Sequence, residues 1–210
     1  MEFTREDFDG MESRYRAALI NSLSGYKPAN LVGTVDARGR TNLAIMTSAV
    51  HLGSNPPLLA LVVRPGQEDR HTLGNILANG CYSINHVHPG IVEQSHQTAA
   101  RYDRDESEFS STGLTEHWRA GFAAPLVHES RLRMGLHLRE HQELAINGTH
   151  LVIGEIAFVE FPGECLQNDG HLDLHAAESV AVSGLDSYHR GQRLKRMAYA
   201  KPELPPRVIA

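Results

Sequence analysis

Thirteen histidines stand in a chain of 210 residues, and two of them bracket the run His137-Leu138-Arg139-Glu140-His141. On a helix, that H-x-x-E-H spacing lets both imidazoles hold one zinc ion while the glutamate serves as base. The neighbours argue for a different backbone. Leu132, Met134, Leu136 and Leu138 alternate with other residues, which is the period of a strand. Histidines four apart on a strand are separated by roughly 13 Å, beyond the reach of one metal. The run therefore reads as a strand edge passing into a turn, with solvent-facing side chains. His51, His71, His117 and His128 are isolated, and His86 and His88 share one strand face. No metal site is expected.

Other signatures of chemistry are equally thin. Gly113-Leu114 and Gly184-Leu185 hold single glycines rather than a G-x-G-x-x-G loop, and no Gly-x-Ser-x-Gly elbow occurs. Cys81 and Cys165 lie far apart, and Cys81 begins an apolar strand, so free thiols in a reducing cytoplasm are expected. The tail cluster Arg190, Arg193, Lys195 and Arg196 could meet a phosphate, but such a run more commonly lies on a solvated tail or a dimer contact. With 20 Lys and Arg against 25 Asp and Glu, the net charge of −5 is wrong for a general nucleic-acid binder. What remains is a pair of hydroxyls, Thr47 and Ser48, set in the otherwise oily stretch TNLAIMTSAV.

The elements around that pair are mostly strands. Phe8, Met11, Tyr15, Ala18, Leu19 and Leu23 first give helical spacing over residues 7–24, stopped by Gly25. Two strands then flank a turn at Asp36-Ala37-Arg38-Gly39, the second running through AIMTSAV. After Ser54-Asn55-Pro56-Pro57, the apolar LLALVV predicts a central strand buried on both faces. A short helix over Thr72–Asn79 and a strand over Cys81–Val87 follow. Residues 89–125 interrupt the strands with a Pro-started helix and a charged loop, the place for a lid or specificity segment. Two further strands meet at the hairpin signal Asn147-Gly148, and periodicity weakens after Pro162. Short strands at hairpin spacing predict a mainly β chain, an antiparallel barrel with peripheral helices. The acidic N-terminus lacks a signal-peptide layout, and Leu58–Val63 is too short to span a bilayer. A cytoplasmic protein is expected, with no membrane contact.

The ordered set of these pieces resembles the flavin reductase-like family of FMN-binding split barrels. The residues that carry it are Ala37-Arg38-Gly39-Arg40 feeding Asn42 and AIMTSAV, the S-N-P-P turn, and the apolar strand ending in Arg64. They continue with His71-Thr72 before the Leu73–Leu77 helix, then G-C-Y-S-I-N, and finally N-G-T-H-L-V-I-G-E-I. The likeness covers roughly residues 27 to 160. It implies a split barrel over residues 1–162, with 163–210 as a C-terminal extension packed on the barrel or on a dimer partner.

The resemblance further implies FMN, or FAD, as cofactor and NAD(P)H as hydride donor. Backbone N–H groups of Ala44, Ile45, Met46 and Ala49 would face the pyrimidine side of the ring, where reduction places negative charge. Asn42 would belong to the same cofactor site, Thr47 and Ser48 would hydrogen-bond the ribityl chain or phosphate, and Arg64, His71 and Thr72 would lie at the phosphate-binding loop. His150 stands in Gly148-Thr149-His150 where the family commonly has Gly-Asp-His, so it would position the nicotinamide without an orienting carboxylate. Family members pair as homodimers, and many supply reduced flavin to a monooxygenase partner. An FMN-binding electron carrier, or a reductase of a small organic molecule that does not use NAD(P)H directly, is the alternative; a barrel that has lost its flavin is the third.

Overall fold

Two helices open the chain in the computed structural model, which describes residues 1–66 and 71–209. These are α1 (Arg5–Gly10) and α2 (Ser13–Leu23), where the apolar spacing predicts one. Met11 is extended, with ψ 144°, and Glu12 caps α2 by accepting the Tyr15 N–H at 2.9 Å. Neither helix buries a residue. Local caps rather than a packed stripe define them.

The short β1 (Lys27–Pro28) leads to β2 (Asn30–Val35) and β3 (Thr41–Met46). The expected turn joins them. Asp36 closes it by accepting the N–H groups of Arg40 (3.0 Å) and Arg38 (2.8 Å), bonds that hold its carboxyl at about 2. Next come β4 (Ala49–Ser54), β5 (Pro57–Val63), α3 (His71–Asn79) and β6 (Cys81–His86). The 89–125 segment holds α4 (Val92–Gln97), α5 (Glu108–Thr112) and the two-residue β7 (Glu116–His117), which pairs with β8 (Leu126–Val127). The long hairpin β9 (Arg133–Leu144) and β10 (Thr149–Glu160) follows, then β11 (Val180–Ser183) and β12 (Ser187–Arg190) in the tail, where no periodicity was legible.

Seven strands form one sheet in the order β3-β2-β6-β9-β10-β5-β4. Every neighbouring pair is antiparallel. The two edge strands, β3 and β4, are joined by only Thr47 and Ser48. At 3.8 Å per residue, their facing ends are no more than about 11 Å apart. The sheet must therefore roll until its edges meet at one corner, which makes it a split barrel. AIMTSAV is accordingly not one strand but two, divided at that corner. LLALVV is not central either: β5 lies one strand in from the edge, and Leu58, Leu59 and Val62 are only half-buried. His137–His141 does not run into a turn; β9 continues through it to Leu144.

The barrel interior is filled by Val32, Leu61, Val63, Tyr82, Ile84, Leu136 and Val152, among others. Helix α3 closes one end, inserting Leu73 and Ile76. A second core covers the outer faces of β2 and β3, where Leu31 and Leu43 pack with Phe109, Leu114 and Val127 of the insertion and Val180 and Val182 of the tail.

His86 sits in this framework with Nδ1 2.9 Å from the Ser179 hydroxyl, and burial pushes its pKa down to about 4. A depressed folded value means that its contribution is present above the unfolded value and lost as pH falls through the folded one. Urea midpoints between pH 7.5 and 5 should show the native chain losing roughly 2 kcal/mol more than His86→Gln. Parallel pH profiles for the two would count against this role.

Candidate functional site

Strand β3 fixes the first part of the site. Its even-numbered N–H groups point to β2, because those of Leu43 and Ile45 point the other way. The Glu108 carboxylate accepts from Leu43 N–H at 2.8 Å, and the Thr98 hydroxyl from Ile45 N–H at 2.9 Å. Thr41 completes the series, its hydroxyl donating to Glu116 Oε1 at 2.7 Å and lying 2.7 Å from Ser107 Oγ. The 89–125 insertion, the expected place of a lid or specificity segment, is therefore a clamp along the outer edge of β3. This corrects the expectation for Ala44, Ile45 and Met46. Their N–H groups are engaged within the fold and are not free to face a ring. An edge strand with unpaired donors invites misassembly, and side-chain acceptors from the insertion remove that hazard.

The corner after β3 is different. Thr47 is half-buried, and neither its N–H nor its hydroxyl has a hydrogen bond among the described residues. The Ser48 hydroxyl donates to the Val62 carbonyl at 2.6 Å, and the Ser48 carbonyl accepts from Val62 N–H at 3.2 Å. That leaves the Ser48 oxygen able only to accept. It also turns the Ala49 N–H to the unpaired edge of β4. Ala49 pairs with Leu61. Continuing this register sets Thr47 level with Val63, and Val63 pairs with His150. Thr47, Val63 and His150 thus share one row, spanning two strand spacings of about 10 Å in all. Arg64 follows Val63 directly and is exposed.

Helix α3 positions the remaining candidates. Asn42 and Thr72 are both buried and hold one another, Asn42 Nδ2 donating to Thr72 Oγ1 at 2.9 Å. Asn75 donates to Thr34 Oγ1 at 3.1 Å, and Asn79 to the Val35 carbonyl. These bonds dock α3 against β2 and β3, so the Asn42 side chain acts as a tether within the fold. The helix begins at His71 and Thr72, and a helix start carries backbone N–H groups of the kind that suits an anion. Part of the expected phosphate loop, residues 67–70, lies outside the described residues. Beside it, a polar cavity of about 10 Å³ is walled by Arg40, Asn42, His71, Asn75 and Arg104. It has room for one water and none for a ring.

His150 has a partner that the sequence does not reveal. Its Nδ1 lies 3.0 Å from Nε2 of His141, with the rings stacked 5.2 Å apart at 26°. A bulge makes the contact. Glu140 opposes Ile153 while Leu138 opposes Gly154, so Arg139 is the extra residue of β9. That residue turns His141 to the face of His150, while His137 stays on the outer face beside Phe122, ring centroids 5.9 Å apart. Among the described residues, no three His, Cys, Asp or Glu side chains gather as a metal site.

The flavin reductase like domain family matches residues 26–174. The chain belongs to the flavin reductase-like family. A solved structure of a candidate flavin reductase with a split barrel domain, from Shewanella frigidimarina NCIMB 400, superposes with a TM-score of 0.92. It is 54% identical, over 95% of this chain and 100% of that one. Nitrilotriacetate monooxygenase component B from Bacillus cereus shares the fold, with a TM-score of 0.82 at 19% identity over 93% of this chain and 98% of that one. The uncharacterised protein YwrF of Bacillus subtilis (strain 168) is 28% identical over 135 residues, 62% of this chain. That match spans 66% of YwrF, just under two thirds of its length. Among the described residues, no helix is long and apolar enough to cross a membrane.

Membership of the flavin reductase-like family gives the unengaged donors a ligand to be tested against. A flavin needs donors for its ring, ribityl chain and phosphate. Thr47 with its unengaged N–H and hydroxyl, the Ala49 N–H, exposed Arg64 and the α3 first turn are donors of the kinds such a group takes. The residues present fit the group. Thr98, Glu108, Ser107 and Glu116 escaped the sequence reading because an acceptor aimed at a strand edge has no spacing signature.

Proposed function

We propose that the chain is an NAD(P)H-dependent flavin oxidoreductase that holds FMN, or FAD, on the row from Thr47 to His150. The observation that supports it most is Thr47: a half-buried residue at the barrel seam with its N–H and hydroxyl unengaged, in the row of Val63 and His150 that exposed Arg64 follows. A flavin held there would supply the redox chemistry, hydride acceptance from a dihydronicotinamide and two-electron delivery to an acceptor. The protein's part is binding and orientation. Arg64 and the first turn of α3 hold phosphate, Thr47 and Ala49 hold the polar edge of the ring system, and His150 orients the nicotinamide.

A second copy completes this reading. Strand β4 is an unpaired edge beside the seam, and Val50 and Leu52 on it are 55% and 50% exposed. A homodimer would cover them and wall the open side of the ring. Likeness to a monooxygenase component B supports a partner enzyme that receives reduced flavin. A cytoplasmic setting, where NAD(P)H is at hand and buried Cys81 and Cys165 stay reduced, accords with this.

Titrating the purified chain with FMN and then adding NADH or NADPH without oxygen tests the reading. Bound flavin whose visible bands bleach on mixing is the expected result. Bound flavin that stays oxidised would leave an electron carrier with another donor, and no binding would overturn the flavin assignment itself.

A further inference from the structure

We propose that His141 is a positioning residue that fixes the tautomer and ring plane of His150, a role that rests on His150 meeting the nicotinamide as argued above. The contact joins Nε2 of His141 to Nδ1 of His150 at 3.0 Å, so Nε2 of His150 is the nitrogen left to face a ligand. One of the two nitrogens in contact must carry the proton. If His141 donates, both neutral rings are in the Nε2–H form, which imidazole side chains favour. If His150 donates, both rings must adopt the less favoured Nδ1–H form. The paired arrangement therefore selects the first.

His150 then presents an N–H donor, suited to the carboxamide oxygen of a nicotinamide. Thr149 leaves His150 with no carboxylate beside it in the chain, and the extra residue at Arg139 brings in an imidazole instead. The two solutions differ in direction: a carboxylate accepts from Nδ1–H, whereas an imidazole Nε2–H donates to Nδ1. The hydrogen bond between nearly coplanar rings, 26° apart, also limits rotation of His150 about its Cβ bond. His141 touches neither donor nor flavin in this arrangement; it acts only through His150.

Nitrogen-15 NMR of the histidine side chains reads the tautomer in the resting chain, with neither flavin nor nucleotide needed. At pH 8, His150 should be the Nε2–H form in the native protein and a mixture in His141→Phe, which keeps ring volume but cannot donate. His141→Gln places an amide N–H near the lost Nε2 and should restore the single tautomer. In steady state, His141→Phe should raise the KM for NAD(P)H by about tenfold with FMN affinity unchanged, and His141→Gln should recover most of it. A His150 tautomer indifferent to His141→Phe, or a glutamine variant behaving like the phenylalanine one, would overturn the assignment. A chain that shows the tautomer shift but no NAD(P)H oxidation would instead refute only the proposed donor.

Discussion

Gly33→Val is expected to abolish cooperative folding, and Gly33→Ala to cost about 3 kcal/mol or more, because the site is already overfilled. Gly33 lies inside β2 on its outer face, where a Cβ would run into the backbone carbonyl of Pro125 and come within 2.6 Å of Ser83 Oγ. Neither neighbour can withdraw. Ser83 donates its hydroxyl to that same Pro125 carbonyl, and two residues on Val127 N–H donates to Asn85 Oδ1 at 3.0 Å. The insertion is thus pinned across β2 by buried bonds, and displacing it would break them and open the outer core. A loss of this size is a large part of the 5 to 15 kcal/mol that holds an ordinary domain together, of the order given by surveys. Urea denaturation checks it. Gly10→Ala in α1, where nothing lies within 4 Å of the added carbon, is the control and should change stability by less than about 0.5 kcal/mol. Equal midpoints for Gly33→Ala and Gly10→Ala would refute the close approach.

Gly33 illustrates what the sequence could and could not convey. A glycine isolated in a strand, as at Gly33, Gly135 and Gly154, signals close approach of another group. For Gly33 and Gly154 the partner is unreadable, since Pro125 and Tyr82 come from distant elements, whereas Phe158 faces Gly135 across the β9–β10 hairpin. Alternation at Leu132–Leu138, the Asp36 turn and the Asn147-Gly148 hairpin made the β-rich fold legible, because each is a local property. The ordered motifs carried the family. Three non-local events stayed hidden. The chain breaks at Thr47 because the barrel must close there, although AIMTSAV reads as one strand. The bulge at Arg139 moves His141 to the opposite face from that which period two assigns. And the insertion's acceptors find β3 only in three dimensions, which is why Ala44, Ile45 and Met46 looked free for a ring. Of the site, the hydroxyl corner and His150 were visible as residues, but their common row emerges only from the register of β4, β5 and β10.

Glu108 makes the clamp testable and ties it to the seam. Its carboxylate is buried, accepts the Leu43 N–H at 2.8 Å, and is pushed above the usual carboxylate range by burial. A raised folded value means that its favourable contribution is complete below the unfolded value and is lost as pH rises through the folded one. At neutral pH the charge is therefore a cost, partly offset by the Leu43 bond. Glu108→Gln keeps an oxygen for Leu43 and removes the charge. It should equal the native chain near pH 4 and exceed it in stability at pH 8. Glu108→Ala removes the acceptor at every pH and strands a buried N–H, a loss of about 2 to 3 kcal/mol. The two variants also separate stability from site geometry. Without Glu108, β3 is released midway between the Thr41 and Ile45 anchors, and the strand that delivers Thr47 to the seam frays. FMN affinity should fall several-fold in Glu108→Ala and stay unchanged in Glu108→Gln. If both variants bind flavin like the native chain while alanine alone is destabilised, the clamp guards the edge without shaping the seam.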